Sequence, residues 1–167
     1  TWKVSVPIGS GWLHDRYLAG DPPQQQEIEV AETFLQTYFQ GMRIQRRPPV
    51  LIVTGGSANS LLHLAHRAFR LEMHQTRLTA HDLLRCQGLL SALQAEEVSR
   101  RFDQPVERAR ILLAGACIIT AMMARLRLNE ITVSPHGIRE GVLLACERYG
   151  EQWLERISAA AARSGRG

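Results

Sequence analysis

Apolar positions along the chain repeat with two different spacings, and the spacings divide it into helices and short strands. Between Gln24 and Gln40 the residues Ile28, Ala31, Phe34, Leu35 and Tyr38 recur at three- and four-residue intervals, which predicts an amphipathic helix ended by Gly41. A helix from Ser57 to Phe69 follows a glycine pair. Thr79 reads as the N-cap of another from Ala80 to Leu93, and Ser91 supplies a second capping signal near its end. Pro105 opens the longest helix, Val106 to Leu126, whose middle is almost free of charge and is therefore expected to be buried nearly all round. A final helix is expected from Ile138 to Ala161, and a short one from Leu13 to Leu18.

The strand signals are shorter. Trp2, Val4, Val6 and Ile8 alternate as in a half-buried strand. Val50–Val53 and Glu130–Ser134 are short β-branched runs of the kind buried on both faces of a parallel sheet. Strands separated by helices imply an α/β domain, expected here to occupy residues 1–162, with a disordered tail at 163–167.

With 167 residues the chain is long enough for one well-packed core and short for two. An apolar fraction of 45% beside 22% charged residues is that of an ordinary globular protein. The apolar run Ile111–Ala124 is shorter than the roughly 20 residues that span a bilayer, so no membrane association is expected. Cys86, Cys117 and Cys146 match no zinc spacing, and an odd number argues against a disulfide framework, which fits a reduced, cytoplasmic protein.

The net charge is +4, and Lys3 is the single lysine among 20 basic residues, so the remaining bases are arginines. Arginine's planar fork suits phosphate oxygens. Few aromatics are interleaved with these bases, so nucleic acid is not expected as a partner.

Two strand-to-helix turns carry the candidate chemistry. In a parallel sheet such turns gather at the strands' C-terminal edge, where ligands bind. Thr54-Gly55-Gly56-Ser57 and Ser134-Pro135-His136-Gly137 should share that rim. At the first, the glycines permit close backbone approach, and Ser57, Ala58 and Asn59 offer N–H groups at a helix start, where the dipole favours an anion. Ser57 can cap that helix or donate to a phosphate oxygen, and the spacing is equally that of a tight structural turn. At the second, Glu140 suits a helix N-terminus, whereas Arg139 there is mildly disfavoured unless a negative group lies near. His136 stands on the rim and could contact phosphate. His63 and His66 share a helix face, but with His74 they lack the spacing of a metal site. Arg43, Arg46 and Arg47 precede a strand and read as a solvated cluster at the end away from the rim.

Three segments occur together in one family: Val53-Thr-Gly-Gly-Ser-Ala-Asn-Ser-Leu-Leu62, Arg108-Ala-Arg-Ile-Leu-Leu-Ala-Gly-Ala116 and Asn129-Glu-Ile-Thr-Val-Ser-Pro-His-Gly-Ile-Arg-Glu-Gly-Val142. Pro7-Ile-Gly-Ser-Gly-Trp-Leu-His-Asp-Arg-Tyr-Leu18 and Asp21-Pro-Pro23 fit it too. From Pro7 to about Leu144 the chain resembles the second lobe of the exopolyphosphatase/guanosine pentaphosphate phosphatase (Ppx/GppA) family. The resemblance implies a ribonuclease-H-like lobe of the actin-like ATPase superfamily, incomplete at its N-terminus. It also implies hydrolysis of terminal phosphoanhydride bonds in polyphosphate or guanosine pentaphosphate, with Mg²⁺, in a cleft shared with a first lobe. Gly55, Gly56 and Ser57 would then bind phosphate together with Arg139, with Gly137 and His136 as further contacts at the rim.

The chain departs from the family's pattern at three places. Ser57 replaces a usual threonine and keeps the hydroxyl, Pro135-His136 replaces a Ser-Asp or Ser-x-Arg type sequence, and Arg110 stands on a helix where an aspartate is common. The family's first lobe, with its glutamate base, and its Asp-x-Gly-Gly-Gly-Ser segment have no counterpart in these 167 residues. The chain is therefore expected to carry no catalytic base or metal ligand of its own, and to expose a sheet edge that the missing lobe or another copy would cover. The alternative is a binding module that senses a phosphorylated nucleotide without cleaving it.

Overall fold

A computed structural model describes residues 4–44 and 47–164. Its contacts divide the chain into two compact units, Ile8–Ser134 and the combination of Thr1–Pro7 with Pro135–Gly167.

The larger unit is built round one helix. Among its described residues six helices and three strands run in the order α1 (Ser10–Tyr17), α2 (Gln25–Gln40), β1 (Ile52–Thr54), α3 (Gly56–Phe69), β2 (Arg77–Thr79), α4 (Ala80–Ala92), α5 (Ala95–Phe102), α6 (Val106–Leu126) and β3 (Glu130–Ser134). Helix α6 packs against α1, α2, α3, α4 and α5. Leu112, Leu113, Ala116, Cys117 and Met123 are almost wholly removed from solvent. Each large aliphatic side chain so buried contributes on the order of 1.5–3 kcal/mol from the hydrophobic effect. By length and composition α6 could cross a membrane, but 56% of its apolar window is buried within the protein, as in a core helix.

Strand order is β1-β3-β2, with β1 parallel to β3 and β2 antiparallel to it. Val133, Ile131 and Leu78 turn inward, while Ile52 on β1 is 62% exposed. Strand β1 pairs with β3 on one side only, and among the described residues its other edge has no partner.

Three expectations change. Val4–Ile8 form no strand, and Trp2 lies outside the described residues. A strand needs a neighbour to accept its backbone hydrogen bonds, and alternation alone supplies none. The third strand is β2 instead, too short to show a period. Ser91 starts no helix, because its hydroxyl donates back to the Gly88 carbonyl. The next helix, α5, begins after Gln94. Its Ala95, Val98 and Phe102, with Glu96 and Glu97 in the first turn and Arg100 and Arg101 in the last, are a helix signal passed over in the sequence.

In the smaller unit the final helix is interrupted. Helix α7 (Ile138–Tyr149) stops at Gly150, whose φ is +57°, and after a single 3₁₀ turn α8 runs from Trp153 to Ser164. A left-handed glycine ends a helix at little cost, because it has no Cβ to clash with the following carbonyl. Residues 165–167 of the expected tail lie outside the described residues.

Candidate functional site

Thr54 and Ser134 are paired in register at the C-terminal ends of the parallel strands, so the two strands end side by side. The chain turns out of β1 at Gly55, where φ is +106° and ψ 173°. That region is closed to L side chains without strain, which explains the first glycine. Gly55 is the N-cap of α3 and its carbonyl accepts the Asn59 N–H at 3.1 Å. Asn59 is thereby removed from the expected donors. The N–H groups of Gly56, Ser57 and Ala58 have no intrahelical acceptor and point out of the helix start.

Ser57 does not cap α3, since no side chain bonds this helix's N-terminus. Its Oγ lies 3.1 Å from Ser10 Oγ at the start of α1. The two hydroxyls can approach because α6 carries Gly115 beneath them. A Cβ there would come 2.8 Å from Ser57 Cβ and 3.2 Å from its Oγ. A hydroxyl that is half of a hydrogen-bonded pair is oriented, and it keeps a second direction for a ligand.

The second glycine has a different reason. A Cβ on Gly56 would lie 2.8–2.9 Å from three atoms of the Arg108 guanidinium. Arg108 sits in the first turn of α6, seven residues before Gly115 and on the same helix face. It is half-buried, and among the described residues it makes no ion pair or hydrogen bond. A half-buried cation without a counter-charge, over a helix N-terminus with unspent N–H donors, has the electrostatics of an anion site. Arg108 stands in the Arg108–Ala116 motif with no local mark of a role. Its spacing from Gly115 on one helix was the available signal, and only the packing of α3 on α6 shows what that face touches.

His136, Gly137 and Arg139 belong to the smaller unit. Gly137 N-caps α7 and donates its N–H to Glu140 Oε2 at 2.6 Å. That bond, reinforced by Glu140's own N–H and by the charges of His136 and Arg139, holds the Glu140 carboxyl below the usual range. Gly137 thus starts a helix, and Arg139 is exposed beside it.

The remaining candidates are structural. His63 Nδ1 lies 2.7 Å from the Gln104 amide, and His66 Nε2 donates to the Gln75 carbonyl at 2.8 Å. His74 pairs with Glu72 at 3.0 Å on the surface. No three or more His, Cys, Asp or Glu side chains cluster among the described residues in a way that could hold a metal ion. Arg43 and Arg47 are exposed, and Arg46 lies outside the described residues. Burial pushes the Cys86 and Cys117 thiols up to about 12, so both are inert core groups.

The sequence profile of the Ppx/GppA phosphatase family matches residues 2–149. The chain is similar to exopolyphosphatase 1 of Mycobacterium leprae, at 24% identity over 84% of this chain and 43% of that protein. It is also similar to exopolyphosphatase 2 of Mycobacterium tuberculosis, at 26% identity over 86% of this chain and 48% of the relative. Among solved structures, the Aquifex aeolicus PPX-GPPA enzyme superposes with a TM-score of 0.75 at 25% identity, covering 85% of this chain and 48% of that one. An exopolyphosphatase from Cytophaga hutchinsonii gives 0.69 at 25% identity, covering 86% of this chain and 49% of that one. The chain thus spans about half the length of the relatives it matches.

Proposed function

The chain belongs to the Ppx/GppA phosphatase family, with its ribonuclease-H-like, actin-like fold, and from that premise we propose that it is the phosphate-binding lobe of an exopolyphosphatase. The observation that supports this most is the unpaired Arg108 guanidinium over the Gly56 end of α3. In this reading a terminal phosphoryl group of polyphosphate or guanosine pentaphosphate accepts N–H bonds from Gly56, Ser57 and Ala58. Ser57 Oγ, oriented by Ser10, supplies a further donor, and Arg108 neutralises charge on the phosphoryl oxygens.

Binding of this kind supplies part of a phosphoryl transfer. The reaction also requires a group that positions the attacking water and a means of offsetting the charge of several phosphates. Mg²⁺ would serve the second purpose in the complete enzyme. The described residues fit no metal centre, so its ligands, like the general base, would come from polypeptide outside these residues.

Phosphate release from long-chain polyphosphate with Mg²⁺, followed colorimetrically, tests the reading on this chain and on a version extended upstream through a first lobe. Turnover is expected only from the extended form, and both Gly56→Val and Arg108→Gln should remove it there. Robust turnover by the 167-residue chain would show that the catalytic groups have been misplaced.

A further inference from the structure

A cavity of about 300 Å³ lies among α1, the loop at residues 19–23, the α4–α5 junction and the first half of α6. An engineered apolar cavity of roughly 150 Å³ accommodates benzene, so the volume suffices for a small organic molecule. One wall is aliphatic, made by Leu90, Leu93, Val98 and Leu113. The remainder carries three ionisable side chains, His14, Asp21 and Arg110.

Each of the three has bonding capacity that the protein itself does not use, His14 half-buried and Asp21 and Arg110 at the solvent-exposed mouth. Nδ1 of His14 is buried without a hydrogen-bond partner, the sole such side-chain atom among the described residues. Buried polar groups are almost always paired, so an orphan calls for an absent partner. Asp21 Oδ1 accepts the Ala95 N–H at 2.7 Å, which fixes the carboxylate at the N-terminus of α5, and no bond engages Oδ2. Arg110 makes no hydrogen bond or ion pair, either with Asp21 or with any other described residue. A pocket with one fixed carboxylate, one unpaired guanidinium and an aliphatic wall is poorly served by a simple anion or cation, because each would face a like charge. A molecule bearing both charges satisfies both.

We infer that this cavity binds a small zwitterion with an apolar side chain, the chemistry of an aliphatic α-amino acid. The carboxylate meets Arg110, the ammonium meets Asp21, the side chain lies on Leu90, Leu93, Val98 and Leu113, and His14 hydrogen-bonds the bound molecule. The site is separate from the phosphate site and independent of the function proposed there.

The test is calorimetric titration of the whole chain with L-leucine and L-valine, alongside isoamylamine and 4-methylpentanoate, which each lack one charged group. The His14 ring is followed by ¹⁵N NMR. At least one amino acid should bind saturably and shift the His14 nitrogens. Both one-charge analogues should bind about tenfold more weakly or worse, the equivalent of one charge-assisted hydrogen bond. Asp21→Asn keeps the Ala95 contact and should weaken amino-acid binding about tenfold. Arg110→Gln, at an exposed helix position, should do the same, and it decides the matter should Asp21→Asn disturb the loop. The assignment is overturned if neither amino acid binds, if the analogues bind equally well, or if Arg110→Gln leaves affinity unchanged.

Discussion

Replacing Gly56 by valine tests the proposed phosphate site through a contact that the structure defines in atoms. The new Cβ would start 2.8–2.9 Å from the Arg108 guanidinium, whereas ordinary van der Waals contact begins near 3.4 Å. The guanidinium must therefore withdraw by at least the difference, 3.4 − 2.8 = 0.6 Å, and the γ-methyls of valine push it further. A charge-assisted hydrogen bond displaced by that much loses most of its value, about 1.5–3 kcal/mol, or roughly 10- to 150-fold in affinity. Gly56 is exposed and opens α3 with ordinary helical geometry, so the fold should survive. Polyphosphate or a phosphate analogue would be titrated calorimetrically against wild type, Gly56→Val, Arg108→Gln and the double variant, with circular dichroism as the folding control. If valine acts by displacing Arg108, the double variant should bind no more weakly than Arg108→Gln by itself, because both changes remove one interaction. Unchanged affinity in Gly56→Val would refute the assignment of the turn. Strictly additive losses would refute the role given to Arg108.

Gly115→Ala places a Cβ 2.8 Å from Ser57 Cβ, both being backbone-anchored atoms of packed helices. Overpacking of this kind should cost about 1–3 kcal/mol and lower Tm by roughly 2–4 °C per kcal/mol in thermal denaturation. A variant melting with wild type would show that α3 and α6 shift apart freely. The open edge of β1 and the exposed Ile52 predict concentration-dependent association by light scattering, reduced by Ile52→Lys. A stable monomer at all concentrations would contradict that expectation. For Cys86 and Cys117 the folded-state value of about 12 lies above the ordinary thiol value of 9.0, so the stability linked to these thiols is complete below pH 9.0 and is lost as pH rises from there towards 12. Chemical denaturation at pH 8 and pH 10 should show the decline, and Cys86→Ala/Cys117→Ala should flatten it.

The helices were readable because their signals are local and redundant. In α6, Pro105 sets the start and an uncharged stretch marks burial, while in α4 Thr79 accepts the Asp82 N–H as the capping pattern requires. The parallel pairing of Val53 with Val133 also followed from two apolar runs separated by helices. The segment Val4–Ile8 failed for the opposite reason, since a strand is a relation between two segments and alternation describes only one. Strand β2 was missed because three residues cannot show a period, and it exists because β3 offers it an edge.

At the candidate site the division falls between residue type and residue company. The glycine pair, the serine and the helix start are written consecutively, so the chain by itself determines that Gly55 to Ser57 can present N–H donors at a strand end. It also supplies, in Ser10, Arg108 and Gly115, the other parts of the site, but scattered over more than 100 positions and without a local mark. Tertiary structure decided that Arg108 covers Gly56, that Ser10 rather than the helix end engages Ser57, and that Gly115 makes room for both hydroxyls. Hydrophobic periodicity specifies which face of α6 is buried without specifying what is buried against it. That choice depends on the joint packing of α1, α3 and α6, a property of the folded core rather than of any one segment.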